Sequence, residues 1–382
     1  MSEYQYYEFQ AVDRPLNARE MDELRALSTR AAITPTRFVN TYNYGSFRGD
    51  PAALMETYFD AFVYVANWGT REFMLRLPQR LLSLETANLY CVGELARARA
   101  TGDHVIVEFR SEDEPEDDED GEDWMPTLLP LRAELAAGDV RSLYLGWLVC
   151  AQDGLLDDEE PGPLPPPGLS ELSASLQALA DFLRLGDDLI AVAAEGSPLL
   201  KESAASRDAL GQWIAGLTTA EKDALLLRLV GQGDPHLQAE LRQRFRRETT
   251  TTRDEEGADE APRRTVGELL ATAERRTARR QRAEAERAAR ERERQEREQA
   301  AARARYLDGL AGREADLWGQ VDALIATKRP ADYDRAVGLL ADLRDLHARA
   351  RRAPEFEARR DRLREEHARK PSLLQRFDRA GL

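Results

Sequence analysis

The chain has 382 residues and a formal net charge of -16, from 54 Lys and Arg against 70 Asp and Glu. This length allows two or three domains that each bury a core. Two cysteines exclude a disulfide framework and a four-thiolate zinc site, which favours a reducing cytoplasm. No uninterrupted apolar run of about 18 residues occurs, and the polar start lacks signal-peptide features, so neither membrane spanning nor classical secretion is expected.

The charge is unevenly distributed along the chain. Residues 1–110 carry 12 basic and 14 acidic side chains, residues 111–260 carry 12 and 34, and residues 261–382 carry 30 and 22. The three blocks therefore have net charges of -2, -22 and +8. The middle block repels nucleic acid, whereas the last block mildly attracts polyanions or acidic segments of the protein itself.

The first 110 residues hold 16 of the 27 aromatic side chains and predict a compact α+β domain. Alternation from Tyr4 to Val12 indicates a strand, and Asn17 followed by Glu20 is a capping box that predicts a helix over 18–30. The patterns that follow are a strand over 36–44, a helix over 52–60, a hairpin over 62–66 and 70–77, a helix near 84–100 and a strand over 104–110. This order predicts an antiparallel or mixed sheet with helices on one face.

Two segments of the middle block predict connectors. Ten of the thirteen residues from Ser111 to Asp123 are acidic, so this segment has no apolar side chains to offset its ordering entropy and is expected to be disordered. Residues 155–168 are acidic and then contain five prolines, which indicates an extended linker.

Helical periodicity around that linker predicts a small bundle over 128–248. Thr218 and Glu221 predict one helix start, and Asp234-Pro235 predicts another. The predicted core consists of Leu176, Leu179, Phe182, Leu189, Ile190, Trp213, Ile214, Leu226, Leu229, Leu237, Leu241 and Phe245.

Residues 273–305 consist of twelve Arg, seven Glu, ten Ala and four Thr or Gln, all compatible with a helix. Pairs such as Glu286 with Arg290 and Glu293 with Arg297 have the favourable i,i+4 order. The segment lacks the apolar heptad positions of a stable coiled coil, which favours a single solvated helix over a dimeric rod. A helix over 265–308 would be about 65 Å long and would act as a stiff spacer.

Beyond this spacer, apolar periodicity predicts two amphipathic helices around Pro330, with Phe356 to Arg369 as a third helix. The pattern Tyr333-x-x-Ala336-Val337-x-x-Leu340 resembles one helix of a tetratricopeptide unit. A full 34-residue repeat is absent, so a lone helical hairpin is predicted, with peptide binding as an alternative.

Catalytic motifs are weak or missing. No lysine follows a glycine, which excludes a Walker A loop, and G-x-S-x-G and H-E-x-x-H are absent. The four histidines are scattered, so neither a metal site nor a cofactor is expected. Asp103, Glu108 and Arg110 form a weak nuclease-like pattern, in which two carboxylates hold Mg²⁺. An ordinary half-exposed strand explains the same residues.

Two further hypotheses involve the same domain. Tyr4 and Tyr6, with Arg71, Arg76 and Arg80, have the residue types that stack on and clamp a single strand of nucleic acid. Helices that cover the aromatic residues explain them more simply. Cys91 and His104 are a second, weaker pair, as a thiolate with a neighbouring histidine.

Four stretches resemble a family of uncharacterised bacterial proteins. They are MSEYQYYEFQAVDRPL, ITPTRFVN, YVANWGTREFMLRLP and HARKPSLLQRFDRAGL, and they cover both ends of the chain. This resemblance implies a bacterial cytosolic protein and supplies no activity, substrate or catalytic residue.

The fold class expected is an α+β N-terminal domain followed by a mainly α part. The segments are an α+β domain (1–110), an acidic disordered loop (111–127), a helical bundle (128–248), a disordered linker (249–264), a long charged helix (265–310) and a C-terminal helical hairpin (311–382). The function expected is a non-enzymatic interaction or scaffold protein, with a protein partner bound through 313–382. The alternative is a nucleic-acid-associated factor with a divergent nuclease.

Overall fold

The computed structural model describes residues 4–112, 121–200, 207–249 and 263–382. It divides into two compact units, Met1–Arg279 and Arg280–Leu382. Most of the acidic run after Ser111 and most of the linker over 249–264, both expected to be disordered, lie outside the described residues.

The first unit contains an antiparallel sheet with the strand order β2-β3-β1-β4-β5-β7-β6. Its strands are β1 (Gln5–Gln10), β2 (Ala32–Ile33), β3 (Arg37–Tyr42), β4 (Ala61–Ala66), β5 (Thr70–Pro78), β6 (Ala96–Thr101) and β7 (His104–Glu112). β4 and β5 form the predicted hairpin, and β1 pairs with β3 and β4. The predicted class, a sheet domain followed by a mainly helical part, is confirmed.

The sequence predicts a helix where one strand of this sheet lies. Only Leu84–Asn88 of the predicted helix near 84–100 is helical, and Ala96–Thr101 forms the edge strand β6. The segment ARARAT alternates with a period of two, and its hydrogen bonds to β7 override the helix propensity of alanine and arginine.

Helices cover both faces of the sheet, not one face as the sequence predicts. On the first face, Phe9, Phe38 and Phe62 pack with residues of α1 (Ala18–Leu27) and α2 (Pro51–Thr57). The capping box at the start of α1 is confirmed, with Asn17 Oδ1 accepting from the Glu20 backbone N–H at 3.0 Å. Both faces need cover because β4 is apolar on its two sides.

The second face is covered by helices from later in the chain. They are α3 (Leu84–Asn88), α4 (Trp124–Leu128), α5 (Pro130–Ala136), α6 (Arg141–Gln152), α7 (Ala174–Phe182) and α8 (Asp187–Ala194). Phe73 and Phe109 of the sheet share one core with Leu176 and Phe182. The predicted bundle therefore does not have a core of its own, because its first helices complete the core of the sheet.

Three further helices complete the described part of the first unit before the long helix begins. They are α9 (Arg207–Gly216), α10 (Thr219–Leu227) and α11 (Leu237–Thr249), with a π-helical turn at Arg228–Gln232 between the last two. The capping box of Thr218 and Glu221 begins α10 as predicted. Ile214, Leu226 and Leu229, which the sequence places in a core, are 45%, 56% and 55% exposed.

The long charged helix forms as predicted. α12 (Val266–Leu310) begins in the core of the first unit with Val266 and Leu269, and Leu307 near its end belongs to the core of the second. Every residue over 278–302 is exposed. The expected i,i+4 pairs Glu286–Arg290 and Glu293–Arg297 are present as ion pairs.

The second unit has its own core built from four more helices and the end of α12. They are α13 (Glu314–Ala326), α14 (Pro330–Arg349), α15 (Ala353–Glu366) and α16 (Pro371–Arg379). The first two form the predicted hairpin. The predicted third helix over 356–369 corresponds to α15. The sequence analysis does not predict α16, which begins at Pro371 and places Phe377 in the core. No helix of the described chain has both the length and the apolar character that a membrane span requires.

Gly146 lets α6 pack closely against the sheet. A Cβ at Gly146 of α6 would lie 2.6 Å from a ring carbon of Phe109, which is fully buried. We expect Gly146→Ala to destabilise the protein by about 1 to 3 kcal/mol through overpacking. Gly211→Ala in α9 is the matched control, because nothing lies within 4 Å of its Cβ, and it should be neutral or stabilising. Urea unfolding of both variants measures this, and equal free energies of unfolding would contradict the packing described.

Candidate functional site

The residues of the nuclease hypothesis lie on one hairpin and are not brought together. Asp103 lies in the exposed turn between β6 and β7, whereas Glu108 lies five residues further along β7. Strand geometry separates the two by about 16 Å, at about 3.3 Å per residue. Oxygen ligands of a divalent ion lie within about 2.6 Å of it, so one ion does not bridge this pair. No group of three or more His, Cys, Asp or Glu side chains suited to a metal occurs in the described chain.

Glu108 has an acidic neighbour, Glu72 of β5, on the same face of the sheet. Arg110 lies opposite Glu72 of β5 and forms an ion pair of 2.5 Å with Glu112. Burial, and then the negative charge of Glu108, raise the pKa of Glu72 to about 7, while the charge of Arg110 acts to lower it. Glu72 therefore titrates near neutral pH, which the sequence does not reveal because it depends on the register of β5 with β7.

The proposed single-strand clamp is not assembled. Tyr6 is fully buried and donates to Glu8 at 2.6 Å, and Tyr4 is partly buried and packs against the core of the sheet. Arg71 is 6% exposed and donates to the carbonyls of Asp181 and Phe182. Arg76 and Arg80 likewise form ion pairs within the protein, at 2.8 Å and 3.0 Å. The arginines expected to hold phosphates hold protein groups instead.

The thiol hypothesis also lacks support from the electrostatics. Burial, and then the neighbouring Cys150, raise the pKa of Cys91 to about 12, so this thiol stays protonated at neutral pH. Burial, and then the charge of Arg76, lower the pKa of His104. A neutral imidazole does not stabilise a thiolate, so the two residues have no nucleophilic role here.

An ionic cleft lies between the sheet and the segment that precedes α11. It is a cavity of about 550 Å³, and its lining includes Asp13, Arg14, Arg80, His104, Asp234 and His236. Arg132 donates to Asp13 Oδ2 at 2.7 Å, and His236 Nε2 lies 2.8 Å from the same oxygen. That nitrogen is buried and makes no hydrogen bond of normal geometry with any described residue. Burial alone would raise the pKa of Asp13, but His236 and Arg132 lower it to about 2.

The arginines that line this cleft are held by carboxylates. Arg14 pairs with Glu20 at 2.7 Å. Arg80 and Arg228 share Asp234, at 3.0 Å and 2.7 Å. Their charges are compensated, so the cleft joins the segment before α11 to the sheet and offers no uncompensated cationic site for an anionic ligand.

An apolar groove of about 470 Å³ lies on α9, α10 and α11. The apolar side chains that line it include Leu210, Trp213, Ile214, Leu225, Leu226 and Leu241. Leu227, Leu229 and Val230 follow Leu226 in the chain, lie outside the lining of the groove, and are 71%, 55% and 82% exposed. Contiguous exposed apolar surface is typical of binding sites.

The sequence contains a signal for this groove that a bundle prediction overlooks. Leu225, Leu226, Leu227, Leu229 and Val230 fall within six residues. At 3.6 residues per turn, these side chains spread over about 200° of the helix circumference, which is wider than the apolar stripe that faces one core. The excess apolar residues indicate a second surface.

The second unit, in which the sequence places the partner site, buries its apolar residues in its own core. Leu317, Trp318 and Tyr333 are at most 7% exposed. Tyr306 is the one large hydrophobic residue that is exposed among residues 280–382. Binding through 313–382 stays a prediction, without an apolar surface there to support it.

Comparison with known proteins finds no matching family model, no matching curated protein and no matching solved structure. The bacterial family suggested by the sequence stretches therefore stays a prediction.

Glu72 provides a test of the electrostatics of the sheet. Its pKa is about 4.5 in the unfolded chain and about 7 in the folded one, so the folded state binds more protons between these values and stability falls as the pH rises through them. We expect Glu72→Gln to remove this loss. The free energy of unfolding of the variant, relative to that of wild type, should therefore rise by about 2 kcal/mol from about pH 5 to about pH 8. Urea unfolding at both pH values measures it.

The control for this test is Glu94→Gln, because the Glu94 side chain is 83% exposed. Its free energy of unfolding should differ from wild type by the same amount at both pH values. A Glu72→Gln variant that behaves in the same way would show that Glu72 is ionised in the folded protein.

Asp13 provides a test of the ionic cleft. We expect Asp13→Asn to destabilise the protein by about 3 kcal/mol at neutral pH, because Arg132 is 6% exposed and loses its nearest carboxylate. The contribution of Asp13 is complete above its unfolded pKa of 3.8 and disappears as the pH falls towards 2. The control is Asp22→Asn, a 73% exposed partner of Arg25, which should cost less than about 0.5 kcal/mol. Equal losses in the two variants, measured by chemical denaturation, would mean that the cleft does not stabilise the fold.

Proposed function

We propose that this protein is a non-enzymatic interaction or scaffold protein, and that the apolar groove is its contact surface for a protein partner. The groove carries this proposal, because Ile214 and Leu226 line it and are about half exposed. Apolar surface in contact with water is unfavourable at about 25 cal/mol per Å², so a partner that covers it gains that free energy. Leu227 and Val230 extend the surface beyond what the chain itself covers.

The long helix supports the scaffold part of the proposal. Residues 278–302 are exposed and include charged pairs such as Glu293–Arg297, each of which contributes about 0.2 to 0.5 kcal/mol. A helix stabilised by its own sequence does not need a core, which suits a semi-rigid spacer. In this proposal α12 is the spacer between two units that each have a core.

The nucleic-acid alternative has less support. Asp103 and Glu108 lie far apart on one hairpin, and Arg71 and Arg76 hold protein groups. The net charge of +8 over residues 261–382 remains its main argument, and seven glutamates interrupt the basic stretch of 273–305.

A cytoplasmic location and a bacterial origin belong to the same proposal. Cys91 and Cys150 are free thiols, which fits a reducing compartment. The bacterial origin rests on the resemblance of four stretches of the chain to a family of uncharacterised bacterial proteins.

Affinity capture with the full chain tests the proposed function. We expect a defined partner from cells that encode the protein, recovered about tenfold less with Leu226→Asp, because a buried carboxylate in the groove opposes binding. The matched control is Leu89→Asp, at a residue that is 60% exposed and lies outside the groove. Quantitative mass spectrometry measures the recovery. A partner retained equally by both variants would contradict the role of the groove and leave 313–382 as the predicted contact.

A further inference from the structure

We propose that the groove binds an amphipathic helix with acidic residues beside its apolar face. This inference rests on the proposed function and names the chemistry of the partner. A helix laid in a groove presents apolar anchors at i, i+3, i+4 and i+7, which match a channel formed between packed helices.

The shape of the apolar surface favours a helix over a small molecule. The groove of about 470 Å³ is open, since Ile214 and Leu226 are 45% and 56% exposed while lining it. Leu229 and Val230 continue the apolar surface past the groove on the π-helical turn. A small ligand fills the groove alone, whereas a helix of several turns reaches both parts.

The charges at the groove determine which charged residues fit beside the apolar face of that helix. Its charged lining residues are Lys222 and Arg242, and no carboxylate lines it among the described residues. Lys222 Nζ donates to the carbonyl of Ala215 at 3.0 Å, a contact that leaves its charge uncompensated. Arg242 is exposed and forms no ion pair with a described residue.

Three nearby carboxylates are held by other arginines, and Asp223 is exposed but does not line the groove. Arg244 holds Glu221 at 3.0 Å and Glu248 at 2.7 Å. Arg228 holds Glu240 at 2.6 Å. The two cations at the groove therefore remain to attract acidic groups from outside, and they repel a basic amphipathic helix.

Two synthetic peptides test this inference on the full chain. Each has about 18 residues with leucine at i, i+3, i+4 and i+7, one with glutamate and the other with lysine beside the leucines. We expect the glutamate peptide to bind at least about tenfold more tightly at about 50 mM salt, and the difference to shrink as salt screens the charges. Fluorescence anisotropy of labelled peptide measures both affinities.

Variants identify the residues responsible. The double variant Lys222→Glu with Arg242→Glu should reverse the preference, and Leu226→Asp should weaken both peptides. Arg19→Glu is the control charge reversal, because Arg19 is 89% exposed on α1, and it should leave the preference unchanged.

Three results would overturn the inference. They are equal affinity for the two peptides, no binding of either, and a dimer seen by sedimentation without peptide that Leu226→Asp dissociates, which would make a second copy the occupant. If Leu226→Asp loses the captured partner and any of these results is also found, the groove remains the contact surface of the proposed function. Only the inference that its partner is an acidic amphipathic helix then fails.

Discussion

Burial of both faces of the sheet is the constraint on which the rest of the first unit depends. β4 is apolar on its two sides, and Phe62 and Val63 are fully buried on opposite faces. The chain covers one face with α1 and α2 and then needs α3 to α8, with Val266 of α12, to cover the other. α11 is held to this assembly by polar contacts such as those of Gln243 with the carbonyls of Leu81 and Ala136. Because the core of the sheet is already covered without α10, the leucines of α10 line an open groove.

Charged side chains attach elements of the first unit to one another and, in the proposed function, recognise a partner. In the ionic cleft, Asp13 and Asp234 compensate arginines, so that charge joins one element of the protein to another. At the groove, Lys222 and Arg242 have no carboxylate partner among the described residues and are available to a partner. The same residue type, arginine, thus has opposite roles according to what lies within about 4 Å of it.

Patterns that depend on neighbours in sequence are predictable, and those that depend on neighbours in space are not. The capping box at Asn17 and the charged helix α12 follow from local spacing, and both are confirmed. The sequence of β6 predicts a helix, because alanine and arginine favour helices. It forms a strand because of its hydrogen bonds to β7, which its own sequence does not reveal. Predicting the raised pKa of Glu72 requires the strand register. Predicting the exposure of Leu226 requires knowing which helices cover the sheet. The separation of Asp103 from Glu108 follows from their shared hairpin, a point that residue types alone do not convey.

Amide hydrogen exchange of the full chain, alone and with its captured partner, tests the central claim most directly. The account predicts slower exchange over 207–249, where the groove lies, and unchanged exchange in β4 and β5, whose amides are already paired within the sheet. Protection confined to 313–382, or absent from the whole chain, would contradict it.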